Sequence, residues 1–266
     1  MKLFAAPRAV VCLVLALWVV LLYSGIMTSV GLGQDNGGAP APQEPASGAN
    51  LLFWLMKVSG LIGLFILALS FYFVAVVVQQ FLELRPAIAA PPEVIEDCDR
   101  LIQEGNIKEI VKLVEEDDSF FSRSLHAGLS ELEFSVDEAR EKLERTADAC
   151  TINMEKKIGI LATIGTLGPM IGLLGTLKGM ITSFSAIATS GKTLEAAKIA
   201  EGISEALVIT FEGVFLSIPA IYFYAMFRNR IAKISVDTTM LADDYFRAIV
   251  RMLKRSRGAT SAKPQN

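Results

Sequence analysis

The sequence predicts an all-α, multi-pass membrane protein: three core transmembrane helices plus an N-terminal signal-like segment, with long helices extending into a helical cytoplasmic domain. Three observations carry this expectation. Of the 266 residues, 52% are hydrophobic, and the mean hydropathy of +0.46 suits lipid rather than water as the solvent. Apolar stretches of spanning length recur at 51–82, 158–188 and 202–227. The polar stretch between the first two shows helical spacing without strand alternation.

In chain order, residues 1–33 place Lys2 and Arg8 before an apolar stretch from Ala9 to Tyr23 and end in Gly31-Leu32-Gly33. This is the pattern of a secretory signal, and both a cleaved peptide and a retained anchor satisfy it. Residues 34–50, with Gly37, Gly38, Pro40, Pro42 and Pro45, read as a flexible periplasmic linker. The first core span, 51–82, is uncharged over 25 residues from Val58, more than the roughly 20 that cross a hydrocarbon core about 30 Å thick. Arg85 follows it and favours a cytoplasmic exit.

Residues 83–157 read as a cytoplasmic helical domain. Val94, Ile95, Cys98, Leu101 and Ile102 keep helical spacing, and after Gly105 the pattern resumes at Ile107, Ile110, Val111 and Val114. Ser135 with Glu138 is a capping-box signature, and no proline follows until Pro169, so one helix of about 78 Å is expected over 136–187. The second span, 158–188, and the third, 202–227, are flanked by Lys156-Lys157 and by Arg228, Arg230 and Lys233. Positive charge at both outer ends makes them a hairpin whose loop, 189–201, is periplasmic.

Residues 228–266 then form a cytoplasmic basic tail. The formal charge of −3 conceals an asymmetry: residues 81–157 carry 19 Asp/Glu and 10 Lys/Arg, residues 228–266 carry 3 and 9. The basic charge is read as a topology signal, not as a nucleic-acid site. Cys12, Cys98 and Cys150 lack CxxC spacing and His126 has no Cys or His companion, so no metal site, disulfide or cofactor is expected.

Chemistry concentrates in the hairpin. Gly165, Gly168, Gly172, Gly175 and Gly179 are three or four residues apart, on one helix face, where small residues let backbones approach closely. Folding the hairpin about residue 193 brings Thr176 and Thr210 to one depth, as a polar ring, although each hydroxyl can also bond its own helix. Glu205 and Glu212, seven residues apart on a common face, are acids of a kind that costs roughly 2.5–3.5 kcal/mol near a membrane centre, and are candidates to handle protons. Lys178 falls three residues from the depth of Glu205, within reach of an ion pair or of snorkelling to the outer interface. Pro219 is expected to kink the third span.

The stretch Leu167-Gly168-Pro169-Met170-Ile171-Gly172-Leu173-Leu174-Gly175-Thr176-Leu177-Lys178-Gly179-Met180 resembles the second membrane helix of the ExbB/TolQ/MotA proton-channel family. Gly202-Ile203-Ser204-Glu205-Ala206-Leu207-Val208-Ile209-Thr210, with Gly213 and Ile218-Pro219-Ala220, resembles the third. The resemblance covers about 51–255 and is closest to the ExbB/TolQ branch. It implies a homopentamer in the inner membrane around the helices of an ExbD/TolR-like single-span protein, coupled to a TonB- or TolA-like protein, with proton flow driving the partner's motion. It makes Thr176 and Thr210 pore-lining and Glu205 pore-proximal, and implies that the partner brings the aspartate that is protonated. Lys178 and Glu212 depart from the family pattern. A MotA-like stator subunit and a non-conducting scaffold are the alternatives. No P-loop or hydrolase motif is present, so an enzyme is not expected.

Overall fold

The computed structural model describes residues 48–132, 135–189 and 196–261. The signal-like segment, nearly all of the linker and the centre of the 189–201 loop lie outside them. Among the described residues there are seven helices and no strand: α1 Gly48–Glu83, α2 Pro86–Ala89, α3 Pro92–Glu104, α4 Ile107–Glu116, α5 Phe120–Ser130, α6 Val136–Thr189 and α7 Ala196–Ser261. Three of them, α1, α6 and α7, are long and apolar enough to cross a membrane. The chain divides into two compact units. One comprises the described residues up to Val78 with Thr163–Ile221, the other Gln79–Ala162 with the described residues from Tyr222 onward.

In the first unit, α1 buries a stripe at Ile66, Phe73 and Val77, while Leu61, Phe65, Phe71 and Tyr72 are exposed. The exposed side of α6 is equally apolar, with Leu167, Met170, Leu173, Leu174, Ile181 and Phe184. Water does not tolerate a surface of this size and character, so lipid or other membrane helices must cover it. The helix expected to run unbroken from Ser135 is found: Val136 opens α6, Ser135 O accepts from Ala139 N at 3.0 Å, and the helix continues through Pro169 to Thr189. Helix α7 likewise continues through Pro219.

In the second unit, local chemistry sets short helices. Pro91 and Pro92 open α3, where a missing N–H removes nothing from the helical ladder. Gly105 ends it at φ +76°, donating its N–H to the carbonyls of Leu101 and Ile102. Ser119 caps α5: its Oγ accepts from Ser122 N at 3.2 Å, and the Asp117 carboxylate accepts from both serine hydroxyls. These helices pack Leu101, Ile110, Val114, Phe121, Leu125 and Leu143 into one core. Gly128 permits the contact of α5 with α6, since a Cβ there would stand 3.1 Å from that of Leu143.

The same core receives Ala242, Phe246, Ile249 and Val250 of α7. The stretch read from the sequence as a basic tail is therefore helix to Ser261, with a buried face that closes the domain. Tyr245 fixes its register, donating from Oη to Asp99 Oδ1 at 2.6 Å and meeting Phe121 edge-on. At the unit's other end, Lys157 and Glu83 pair at 2.6 Å and Phe81 packs edge-on against Phe227. Cys98 and Cys150 are buried free thiols, and burial, assisted by Asp99 and Asp97, pushes the Cys98 thiol up to about 11.

Candidate functional site

The site is the α6–α7 hairpin of the first unit, and glycine builds it. A Cβ on Gly168 would stand 2.6 Å from Gly213 O, and one on Gly172 3.0 Å from Thr210 Cα. Gly179 meets Ala206 and Gly202 in the same way. All five glycines expected at a helix contact therefore meet α7, with Gly165 against Ile221 and Gly175 against Ile209. Backbones this close bring hydroxyls within reach of the opposite helix's carbonyls.

Thr210 uses that reach. Its Oγ1 donates to Gly172 O at 2.9 Å across the hairpin and, in a shared geometry, to Ala206 O at 3.1 Å in its own helix. Two serines that the sequence reading passed over do the same: buried Ser217 donates to Gly165 O, and Ser183 to Ile199 O at 3.2 Å and Gly179 O at 3.0 Å. Their signal was present, since Ser217 continues the Thr210, Gly213 face at helical spacing and Ser183 extends the glycine stripe by one turn.

These contacts correct the register expected for the hairpin. Gly172, rather than Thr176, lies opposite Thr210. Thr176 is then level with Ala206, one turn and about 6 Å from the level of Thr210, so the two threonines do not share one depth. Thr176 is half-buried, and its hydroxyl, on the exposed side, donates to Leu173 O at 2.7 Å. Both hydroxyls donate to backbone, and each keeps oxygen lone pairs that can accept from water or from a partner's acid.

The same register brings Lys178 and Glu205 together, with Nζ 3.0 Å from Oε1. Glu212, two turns further along α7, is half-buried. Pro219 sits within α7, which loses one N–H from its ladder there and nonetheless runs on. Among the described residues, no three His, Cys, Asp or Glu side chains form a group able to hold a metal ion.

Fold and site together define a class: an all-α membrane protein with a glycine-packed hairpin that carries two acids, a base and a series of hydroxyls inside its spans. Residues 113–240 match the MotA/TolQ/ExbB proton channel family, and the similar relatives include proteins named ExbB and TolQ. The chain is 34% identical over 143 residues to "Biopolymer transport protein ExbB" of Pseudomonas putida, a match covering 50% of this chain and 43% of the relative. It is 41% identical over 92 residues to the ExbB of Salmonella typhimurium (35% and 37%), and 37% identical over 97 residues to "Tol-Pal system protein TolQ" of Pseudomonas aeruginosa (36% and 41%). The matched part thus spans less than half the length of each of these relatives.

Proposed function

We propose that this chain is a proton-channel and motor subunit of the inner membrane, coupling proton flow to energised transport or envelope work through an ExbD/TolR-like single-span partner. The observation that carries the reading is the hairpin itself. Apolar spans exclude charge, yet this one holds Glu205, Glu212 and Lys178 beside hydroxyl-bearing Thr176 and Thr210, within the region that matches a proton channel family. Such groups supply stepwise hydrogen-bond partners for a proton where hydrocarbon supplies none.

In this reading the subunit is a homopentamer around its partner's helices, and a TonB- or TolA-like protein receives the work. The N-terminal segment and the 189–201 loop are periplasmic, and residues 83–157 and 228–266 are cytoplasmic. The chain transports and does not catalyse; membrane lipid surrounds it, and no nucleic acid or cofactor takes part.

The test is Thr176→Val with Thr210→Val, which keeps shape and removes both hydroxyls. Proton flux and partner-dependent work are measured in membranes holding the natural partner. Assembly is expected to survive and flux to fall at least tenfold. Undiminished flux in the double variant would refute a path through these hydroxyls. One observation favours a second reading, a non-conducting scaffold: both hydroxyls already donate to this chain's own carbonyls. Normal partner anchoring with no proton flux in the unaltered protein would select it.

A further inference from the structure

Resting on the channel reading, the further inference concerns how this chain's two span carboxylates divide the work. Residues 158–227 hold cations only at Lys178, Lys192 and Lys198, and the last two belong to the hairpin's loop end. Within the spans Lys178 is the sole cation, and it is already engaged: its ammonium lies 3.0 Å from the Glu205 carboxylate, linking α6 to α7. Only 24% of the Glu205 side chain is exposed, against 47% for Lys178, so the acid sits on the inner side of the pair and the base on its rim.

Among the described residues, no cation pairs with Glu212. The hairpin register sets it opposite Met170, eight residues and roughly 12 Å along α6 from Lys178. In the other direction, Arg228 is sixteen residues and roughly 24 Å away. The first core span contributes no charge between Val58 and Leu82. The charged groups nearest Glu212 along these helices are therefore Lys178 on α6 and Glu205 on α7, which pair with one another, with Glu201 and Lys198 further toward the loop end of α7. Among the described residues an ionised Glu212 has no paired cation, whereas an ionised Glu205 has Lys178.

We propose that Lys178 is the resident counter-ion of Glu205 and that Glu212, not Glu205, is the carboxylate of this chain that changes protonation during proton transfer. The Glu212 O–H bond forms with a proton delivered by water from one side. It breaks to water on the other, and the chain is unchanged over a cycle. Lys178 and Glu205 act as positioning residues, holding their level neutral so that neither a fixed anion nor a fixed cation obstructs the path.

The experiment follows proton uptake with a pH-sensitive dye in membrane vesicles holding the full chain and its natural partner, under an imposed pH gradient. Lys178→Met and Glu205→Gln each strand one member of the pair, and each is expected to fall below a tenth of the unaltered flux. The double variant Lys178→Met/Glu205→Gln restores neutrality and should recover to a third or more. Glu212→Gln should fall below a tenth and gain nothing from Lys178→Met, while Glu212→Asp, which keeps the acid, should retain a third or more. Flux in Glu212→Gln equal to that of the unaltered chain overturns the assignment, as does a double variant no better than its singles. If vesicles holding the unaltered chain and its partner conduct no faster than vesicles without the chain, the channel reading falls and takes this assignment with it. If they do conduct, and Glu212→Gln matches them, only the assignment falls.

Discussion

Replacing Gly168 by alanine adds one methyl group at one of the closest backbone approaches of the hairpin. That carbon would stand 2.6 Å from Gly213 O and 3.3 Å from Ser217 Cβ. Comfortable contact needs about 3.5 Å, and the obstacle is backbone, which has no rotamer to move, so α6 and α7 must separate by most of an ångström. Overpacking of this kind costs roughly 1–3 kcal/mol. Separation also stretches two interhelical bonds, from Thr210 to Gly172 and from Ser217 to Gly165, worth about 0.6 kcal/mol each in a membrane. The expected loss is about 2–4 kcal/mol. Gly159→Ala is the comparison, because a Cβ there meets no atom within 4 Å and alanine is the better helix former. Denaturant unfolding in bicelles, read by helicity, should show a clearly lower midpoint for Gly168→Ala and an unchanged or higher one for Gly159→Ala. Equal midpoints for the two would refute the claim that glycine sets the interhelical distance.

Three further outcomes are expected. Phe246→Ala empties a fully packed position in the part of α7 first read as a tail and should destabilise the second unit by roughly 3–5 kcal/mol, seen as faster trypsin cleavage within 83–157. Gly105→Ala meets no atom but forces a side chain to φ +76°, so a loss of roughly 1–2 kcal/mol in thermal unfolding is expected, with Gly105→Asn milder. The Cys98 thiol, held neutral by burial up to about 11, should resist alkylation at pH 8 until the domain unfolds. Because its folded value lies above the ordinary 9, its contribution to stability is complete below pH 9 and is lost as pH rises toward 11.

The spans were legible because charge is expensive in hydrocarbon: the uncharged run from Val58 and the basic residues at 156–157 and 228–233 bound three helices that the structure contains. The buried helical face at the end of α7 went unread for the same reason. Arg228 closes the apolar run but does not stop a helix, and neither proline nor glycine interrupts the chain from there to Gly258. Ile231, Ile234, Ala242, Phe246 and Ile249 keep helical spacing throughout, and they are buried. A count of nine basic residues in that stretch obscured a core-forming face.

The site was legible in its residue types and not in its register. Sequence spacing fixes which side chains share a face, but the level at which two helices meet is set by interlocking shapes, and here Gly168 against Gly213 and Gly172 against Thr210 decide it. A four-residue shift in which residue of α6 faces Thr210 separates Thr176 from Thr210 by a turn and draws Lys178 onto Glu205. This also makes the two threonines unequal. Removing the Thr176 hydroxyl deletes a bond within one turn of α6, whereas removing that of Thr210 deletes a bond between helices. A loss of flux in Thr210→Val therefore mixes chemistry with packing, and the same loss in Thr176→Val does not. The single variant Thr176→Val, with its exposed hydroxyl and no interhelical partner, is the cleaner measure of whether a side-chain oxygen at this depth carries protons.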